Sequence, residues 1–296
     1  MQKDCTFVKI LFDMSFYPSS LFRSGYFFAF IIMCTACEPP VDQAYSSPST
    51  ACPCNSQTYL EAASLFTQVS SEYKALCLQA YRQATEHLPE LAAASEQAAV
   101  VLDLDETVLE NSPYTAWQVM SGEPYSPATW DQWVQLASAE AVPGAAAFLR
   151  FADSLGLRIF YISNREESQL EATITNMRAL KLPQVEPSQF YLKSHTSDKS
   201  ERRRAVIDAG YDIVMLIGDN LGDFHNGYDK PATNDERDRQ VEADRSKIGR
   251  EYIVLPNTLY GTWEGAIYGF DRSLSDAERC MLRSEALRPA PITGAE

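Results

Sequence analysis

Short apolar runs alternate with helical stretches through most of the chain. Four runs rich in Val, Ile and Leu have the length of strands, and they occupy 98–104, 157–163, 213–217 and 252–255. Stretches with helical patterning separate them, over about 144–155, 166–180 and 199–209. Buried strands that alternate with helices are joined by right-handed crossovers into a parallel sheet. The pattern therefore predicts an α/β fold, a Rossmann-like parallel sheet with helices on both faces.

The segment before the first strand predicts one long helix. Over 57–88, apolar residues recur at spacings of three and four, namely Leu65, Val69, Tyr73, Leu76 and Ala80. This spacing places them in a single stripe on one helix face. We expect the stripe to pack against the rest of the domain and to carry no chemistry.

Residues 111–142 interrupt the alternation directly after the first strand. They are rich in Trp, Tyr, Pro and Gly, and a connection of this length is usually functional. We interpret them as a smaller, mostly helical cap over a site at the end of that strand.

The C-terminal part carries two further predictions. Residues 229–250 are highly charged and predict an exposed helix or loop. Ser273 or Ser275 is expected to cap a last helix that ends before Pro289. Residues 269–296 are therefore predicted to form a C-terminal helix and tail.

The N-terminus predicts a targeting segment. Arg23 precedes an apolar core at 26–36 that is too short for a comfortable membrane span. The run Cys-Thr-Ala-Cys that ends at Cys37 resembles a bacterial lipobox, although Cys34 stands where Leu is usual. This resemblance implies that Cys37 is lipidated.

Residues 1–37 are accordingly predicted to be a signal peptide with a lipobox, with Met14 as the expected start of translation. Residues 38–56, rich in Ser, Pro, Thr and Ala, predict a flexible tether. A lipidated Cys37 would attach the protein to a membrane of the cell envelope. Glu38 after it permits sorting to the outer membrane of a Gram-negative bacterium. An ordinary cleaved signal peptide or an uncleaved anchor is the alternative.

Composition excludes one class of partner. The 296 residues carry a net charge of −15, and the sequence pI is about 4.7. A protein that binds nucleic acid polymers generally needs a basic face, so we expect no such partner.

The exported chain contains four cysteines, Cys52, Cys54, Cys77 and Cys280. They do not have the tight spacing of a zinc site. In an oxidising envelope they allow one or two disulfides, whose pairing stays open.

The densest chemistry follows the first apolar run. Asp103 and Asp105 end this run one residue apart, where the carboxyl ends of parallel strands present ligand sites. Alternation along a strand points both side chains the same way. Two carboxylates that close repel each other, so one must hold a proton or a cation must lie between them. We expect a hard divalent cation such as Mg²⁺.

Polar groups also follow the later runs. The second run ends in Ser163-Asn164-Arg165, and the third leads into Asp219 and Asp223. Lys199 begins a predicted helix, where a cation is unfavourable, so its position indicates a bound anion or a nearby carboxylate. Lys193 is an alternative for the same role. Each of these groups would project over the same edge of the sheet.

In combination these motifs resemble the haloacid dehalogenase superfamily of phosphohydrolases. The order is Asp-x-Asp-x-Thr, a hydroxyl residue at a strand end, a lysine, and then Gly-Asp-x-x-x-Asp. Four segments resemble the class C bacterial acid phosphatases in particular: 103–114, 142–144, 218–224 and 255–264. Members of that family are envelope lipoproteins that hydrolyse phosphomonoesters, including 5′-nucleotides. The resemblance covers residues 57–268, which we take as the phosphatase domain.

The resemblance implies roles for the acidic residues. Asp103 would attack phosphorus as the nucleophile, and Asp105 would act as general acid and then as general base. Mg²⁺ would be held by Asp103, by the backbone carbonyl of Asp105 and by Asp219. Asp223 belongs to the same metal-binding set, where it would orient a metal-bound water or the lysine.

The resemblance also implies roles in substrate binding. Ser163 and Lys199 would bind phosphoryl oxygens as charge redistributes during the reaction. Asn164 lies beside them at the strand end. Trp130 in the cap and Tyr260 near the end of the domain are candidates to stack on a nucleotide base.

The sequence thus predicts a Mg²⁺-dependent acid phosphatase that acts on small phosphomonoesters through an aspartyl-phosphate intermediate. Two alternatives stay open. One is a catalytically silent binding lipoprotein on the same fold. The other is a phosphatase or phosphotransferase narrow for one sugar phosphate or cofactor phosphate.

Overall fold

The computed structural model describes residues 57–229 and 233–290. The signal peptide, lipobox and tether predicted over 1–56 lie outside the described residues. Within the described ranges, no helix is both long enough and apolar enough to cross a bilayer.

Strands in the described residues form two sheets. They are β1 (Ala98–Leu102), β2 (Leu109–Glu110), β3 (Glu140–Ala141), β4 (Arg158–Glu166), β5 (Phe190–Lys193), β6 (Asp212–Gly218) and β7 (Tyr252–Val254). Five strands make a parallel sheet in the order β5-β4-β1-β6-β7, while β2 and β3 pair antiparallel. The predicted α/β class and parallel sheet are confirmed.

Helices connect the strands and flank the domain. They are α1 (Glu61–Val69), α2 (Ser71–Ala92), α3 (Ser112–Ser121), α4 (Pro127–Gln135), α5 (Ala145–Ser154), α6 (Leu170–Ala179), α7 (Ser200–Asp208), α8 (Asn234–Ala243), α9 (Thr262–Ile267) and α10 (Asp276–Ala286). Ser275 caps α10 by accepting a hydrogen bond from the Glu278 amide. The helix predicted before Pro289 is therefore present.

Strand β1 lies at the centre of the sheet and is buried throughout. Val100 and Leu102 belong to the core that α2 and α5 cover, whereas Ala99 and Val101 belong to the core on the side of α7. Because alternate side chains point to opposite faces, a strand between two helical layers must be apolar at every position. This explains why the run at 98–102 is continuous and not alternating.

The long helix predicted over 57–88 is wrong, because the chain breaks at Ser70. Ser70 has an extended backbone, and its hydroxyl accepts a hydrogen bond from the Tyr73 amide, which starts a new helix. The break separates Leu65 and Val69, which are exposed, from the rest of the stripe. Within α2, Tyr73 and Ala80 are buried while Leu76 is exposed. Local capping chemistry here outweighs the apolar spacing.

The segment 111–142 contains helices α3 and α4, as its interpretation as mostly helical predicted. The antiparallel pair of β2 and β3, in which Leu109 lies opposite Ala141, joins its two ends. This two-residue pairing was not predicted, and neither was the edge strand β5. Both are too short for an apolar run to stand out.

Candidate active site

Asp103 lies directly after β1 and is buried, with 8% of its surface exposed. Its amide donates to the Ile217 carbonyl at 2.9 Å, which continues the ladder to β6 for one more residue. The ammonium of Lys199, at the start of α7, bonds the Asp103 carboxylate and lies 2.7 Å from Oδ1 of Asp223. Lys193 instead pairs with Glu166 at 2.6 Å. Of the two candidate lysines, Lys199 is the one at the acidic site.

Three carboxylates converge at the carboxyl ends of β1 and β6. Oxygens of Asp103, Asp219 and Asp223 lie within 4.8 Å of one another. With the Lys199 ammonium, three ionised carboxylates would leave two negative charges uncompensated. An all-oxygen donor set with this charge suits a hard divalent cation. The residues present therefore fit the Mg²⁺ that the sequence motifs predicted.

The electrostatics of the cluster support the same fit. Burial raises the pKa of Asp219 well above its usual range, and repulsion from Asp223 and Asp103 adds to the rise. Burial also raises the pKa of Asp103, to about 7, although the Lys199 ammonium opposes it. Burial would lower the pKa of Lys199, but Asp103 and Asp223 raise it to about 12. A divalent cation at the cluster would stabilise the ionised carboxylates, whereas a proton would convert one of them to the neutral acid.

Gly218 allows Asp223 to approach the end of β6. A Cβ atom on Gly218 would lie 2.2 Å from Oδ2 of Asp223, too close for any real side chain. That oxygen accepts a hydrogen bond from the Asn220 amide at 3.0 Å, while Oδ1 contacts Lys199. Both oxygens of Asp223 are thus engaged, and the carboxylate orients Lys199, one of the two roles the sequence suggested.

Asp105 contacts a residue to which the sequence assigned no role. Arg165 Nε and Nη2 donate to Oδ1 of Asp105 at 3.0 and 2.8 Å, and Nε also lies 3.3 Å from Oδ2. The Arg165 side chain is almost fully buried, with 1% exposed. The signal was present in the Ser163-Asn164-Arg165 run, but burial of an arginine cannot be read from a strand end.

The other two residues of that run have different environments. Ser163 is buried, and its hydroxyl lies 3.4 Å from Oδ2 of Asp105. Asn164 is exposed and accepts a hydrogen bond from Arg202 at 2.7 Å. Arg202 also donates to the Ser163 carbonyl at 2.5 Å, so it ties the end of β4 to the start of α7, which carries Lys199.

The aromatic candidates contact different neighbours of Asp105. The Tyr260 hydroxyl donates to the buried carboxylate of Glu106, while 40% of Tyr260 remains exposed. The Arg165 guanidinium lies over the Trp130 ring, 5.8 Å from its centroid. Each aromatic residue therefore contacts a neighbour of Asp105, Glu106 for Tyr260 and Arg165 for Trp130.

Glu106 is a second residue that the sequence did not single out. It has a positive φ of 57°, and it accepts a hydrogen bond from the Asn111 amide at 2.9 Å. Burial raises its pKa to about 8, with a contribution from Asp105. The Asn111 side chain in turn donates to Asp105 at 3.0 Å and accepts from Trp133 of α4 at 2.8 Å. These bonds connect the helical segment 111–142 to the acidic site.

The chain matches one protein-family model over most of its length. Residues 32–263 match the model of HAD superfamily, subfamily IIIB (acid phosphatase). Acid phosphatase 1 of Solanum lycopersicum is 28% identical over 129 residues, which are 42% of this chain and 51% of that protein. The stem 28 kDa glycoprotein of Glycine max is 29% identical over 134 residues, 43% of this chain and 53% of that protein. The chain spans about half the length of these curated relatives.

A solved structure is similar over nearly its whole length. The class C acid phosphatase of Bacillus anthracis is 38% identical, with a TM-score of 0.75, and the match covers 80% of this chain and 99% of that one. A second structure of the same protein, with tungstate bound, matches equally well.

Proposed function

Because this chain belongs to subfamily IIIB of the HAD superfamily, the acid phosphatases, we propose that it hydrolyses small phosphomonoesters with the help of Mg²⁺. One observation carries the proposal: the buried Asp103 lies at the end of the central strand, bonded by Lys199 and close to Asp219 and Asp223. Asp103, Asp219 and the backbone carbonyl of Asp105 would hold the metal. Bound Mg²⁺ would supply positive charge that offsets repulsion between an anionic nucleophile and a phosphate.

The first step forms an aspartyl-phosphate. The Asp103 carboxylate makes a bond to phosphorus, and the bond between phosphorus and the ester oxygen breaks. Asp105 gives a proton to that departing oxygen. We assign this proton to Oδ2, since its donors Ser163 and Arg165 Nε lie at 3.4 and 3.3 Å, whereas those of Oδ1 are closer.

The second step releases phosphate. Asp105, now ionised, takes a proton from water, whose oxygen bonds to phosphorus as the bond to Asp103 breaks. The bidentate contact with Arg165 stabilises the ionised Asp105 that this step requires. Lys199 and Ser163 would bind phosphoryl oxygens throughout. A tetrahedral oxyanion, tungstate, binds the similar phosphatase of Bacillus anthracis, which supports an oxyanion site in this protein.

Activity and metal dependence are tested together. Purified protein should release p-nitrophenol from p-nitrophenyl phosphate at acid pH, lose this activity in EDTA and regain it with Mg²⁺. Asp103→Asn should be inactive, whereas Asp208→Asn, at an exposed aspartate of α7, should retain activity. Acid quenching of a reaction with ³²P-labelled substrate should trap label on the wild-type protein alone. Full activity in EDTA or in Asp103→Asn would contradict the proposal.

The proposed substrates are nucleoside 5′-monophosphates. Trp130 contacts Arg165 and Tyr260 contacts Glu106, so both rings lie near Asp105. A nucleotide base stacks favourably on such rings. A panel of AMP, nicotinamide mononucleotide and several sugar phosphates tests this. Higher kcat/KM for the two nucleotides supports it, while a strong preference for one sugar phosphate favours the narrow phosphatase instead.

We further propose that the protein is a lipoprotein of the cell envelope, attached through Cys37. The lipobox-like run at 34–37 supports this proposal. Labelling of expressing cells with radioactive palmitate, followed by membrane fractionation, should place label on the wild-type chain and not on Cys37→Ser. Label that survives this substitution would refute the anchor.

A further inference from the structure

We propose that Asn257 is a positioning residue, which orients the metal-binding carboxylate of Asp219 and couples it to the loop that carries Tyr260. The inference rests on the proposed Mg²⁺ site. Asn257 lies three residues beyond β7, at the carboxyl edge of the sheet. Its Nδ2 donates to Oδ2 of Asp219 at 2.7 Å.

The neighbouring backbone fixes which way the Asn257 amide points. Its Oδ1 accepts hydrogen bonds from the amides of Leu259 at 2.8 Å and Tyr260 at 3.5 Å. Since backbone amides only donate, the oxygen of the side chain must face them and its NH₂ group must face Asp219. The polarity of the contact is therefore determined by the loop, and Asn257 is a donor to the carboxylate.

The two oxygens of the Asp219 carboxylate have different hydrogen-bond donors. Oδ2 is engaged by Asn257 at 2.7 Å, while Oδ1 receives a longer hydrogen bond from Thr107 at 3.3 Å. A carboxylate that is held at one oxygen cannot rotate freely, so the bond from Asn257 restricts the orientation of both Asp219 oxygens. Partners of this kind commonly change metal affinity by about 10- to 100-fold when they are removed.

The same loop is attached to both acidic segments of the site. At its start, the Leu255 amide donates to the Gly218 carbonyl at 2.9 Å, next to Asp219. At its far end, the Tyr260 hydroxyl bonds Glu106, the neighbour of Asp105. Asn257 lies between these two attachments. Its side chain bonds Asp219 on one side and the backbone amides of Leu259 and Tyr260 on the other. The position of Tyr260 and the orientation of Asp219 are therefore linked through one side chain.

Metal affinity measured without turnover tests the inference. Protein stripped with EDTA and dialysed is titrated with MgCl₂, and the dissociation constant is taken from the rise in Tm. Asn257→Ala should weaken Mg²⁺ binding by about 10-fold or more. The matched control is Thr262→Val, which removes a 2.7 Å hydrogen bond to Asn220 near the end of the same loop. It should lower Tm without Mg²⁺ and leave the affinity within about twofold of wild type, the scatter expected of such measurements.

A double-mutant cycle separates coupling from a merely structural role. Tyr260→Phe should weaken Mg²⁺ binding in the wild-type background and have no further effect in Asn257→Ala, because the link through Asn257 is then already broken. Equal effects of Tyr260→Phe in the two backgrounds overturn the coupling. Wild-type affinity in Asn257→Ala overturns the positioning role while the metal site stands. A wild-type protein whose Tm does not respond to Mg²⁺ overturns the metal site itself, and this inference with it.

Discussion

Arg165 and Asp105 form a bidentate ion pair. The guanidinium is nearly fully buried and the carboxylate is 14% exposed, with the shortest contact at 2.8 Å. Thr173 of α6 accepts from a third guanidinium nitrogen at 3.0 Å, and this fixes the orientation of the fork. The pair therefore sets the direction in which the Asp105 carboxylate presents its second oxygen.

Replacement of Arg165 should impair both stability and turnover. Arg165→Ala leaves a largely buried carboxylate without its partner, and we expect a loss of about 3 kcal/mol in the free energy of unfolding. Because Asp105 would no longer be held in place, kcat should fall by about 100-fold or more. Urea unfolding and steady-state kinetics measure the two effects.

Arg165→Lys serves as the matched comparison. Lysine keeps the positive charge and loses the planar fork, so stability should be partly retained while kcat stays low. If Arg165→Lys turned over substrate like wild type, charge alone would account for the contact and the positional role would be wrong.

Gly218→Ala should disrupt the site through a single methyl group. The added Cβ would overlap Asp223, so the carboxylate must move away from Lys199, and overpacking of this kind costs about 1–3 kcal/mol. We expect a strong loss of phosphatase activity and a lower Tm.

Gly210→Ala is the control for the Gly218 substitution. Gly210 has a φ of 91°, and no atom lies within 4 Å of the position that a Cβ atom would take there. Alanine therefore introduces backbone strain of about 1–2 kcal/mol and no clash. Its Tm should fall while kcat/KM stays at the wild-type value. Equal activity losses in the two variants would show that strain, and not displacement of Asp223, is responsible.

Acid stability should depend on the buried carboxylate of Asp244, which is not part of the acidic cluster. Burial would raise the pKa of Asp244, but hydrogen bonds from His225, Gln240 and Tyr228 outweigh it and hold the pKa below its usual value. Lys247 also faces this carboxylate, at 3.7 Å. A carboxyl group with a lowered folded-state pKa stabilises the protein above its unfolded-state pKa and stops doing so as pH falls through the folded-state value.

Asp244→Asn should therefore lower the free energy of unfolding at neutral pH. The difference from wild type should be constant above about pH 5 and shrink as pH falls below about 4, where the wild-type carboxyl group takes up its proton. Urea unfolding at several pH values measures this difference. A gap that stayed constant down to about pH 2.5, well below the usual carboxyl range, would contradict the assignment.

Substitution of the aromatic residues should distinguish nucleotides from other esters. Loss of one stacking contact costs about 1–3 kcal/mol, roughly 5- to 150-fold in affinity. At saturating Mg²⁺, which offsets any loss of metal affinity, Trp130→Ala and Tyr260→Ala should raise KM for AMP by such factors and change KM for glycerol phosphate little. The ratio of the two KM values is the useful measurement, since a general disturbance of the site would raise both alike.

The sequence predicted the central architecture well because its strands are buried on both faces. A continuously apolar run such as 98–104 must be buried and cannot lie on the surface. The alternation of such runs with helices along the chain implied the parallel sheet. It failed at Ser70, where a side-chain cap divides the expected helix. It also missed β5, since four residues with partial burial give no distinct pattern.

At the site, the sequence predicted roles chiefly for residues at strand ends and at the start of a helix. Asp103, Asp219 and Lys199 were found because short spacings and strand ends identify them, and the structure brings all three together. Arg165, Glu106 and Asn257 lie in segments that the sequence analysis singled out, but they were assigned no role. Each acts through a partner far away in the chain, as Asn257 does 38 residues from Asp219, and such contacts leave no periodic signal.

By itself, the chain determined which side chains stand at the carboxyl ends of its strands, because burial patterns and strand direction are local properties. Only the tertiary structure decided how these side chains are held. It assigned Lys199 rather than Lys193 to the acidic cluster, paired Arg165 with Asp105, and tied the Tyr260 loop to both acidic segments. The reason is physical: hydrogen bonds and ion pairs depend on distances of a few ångströms between remote segments, and packing alone sets those distances.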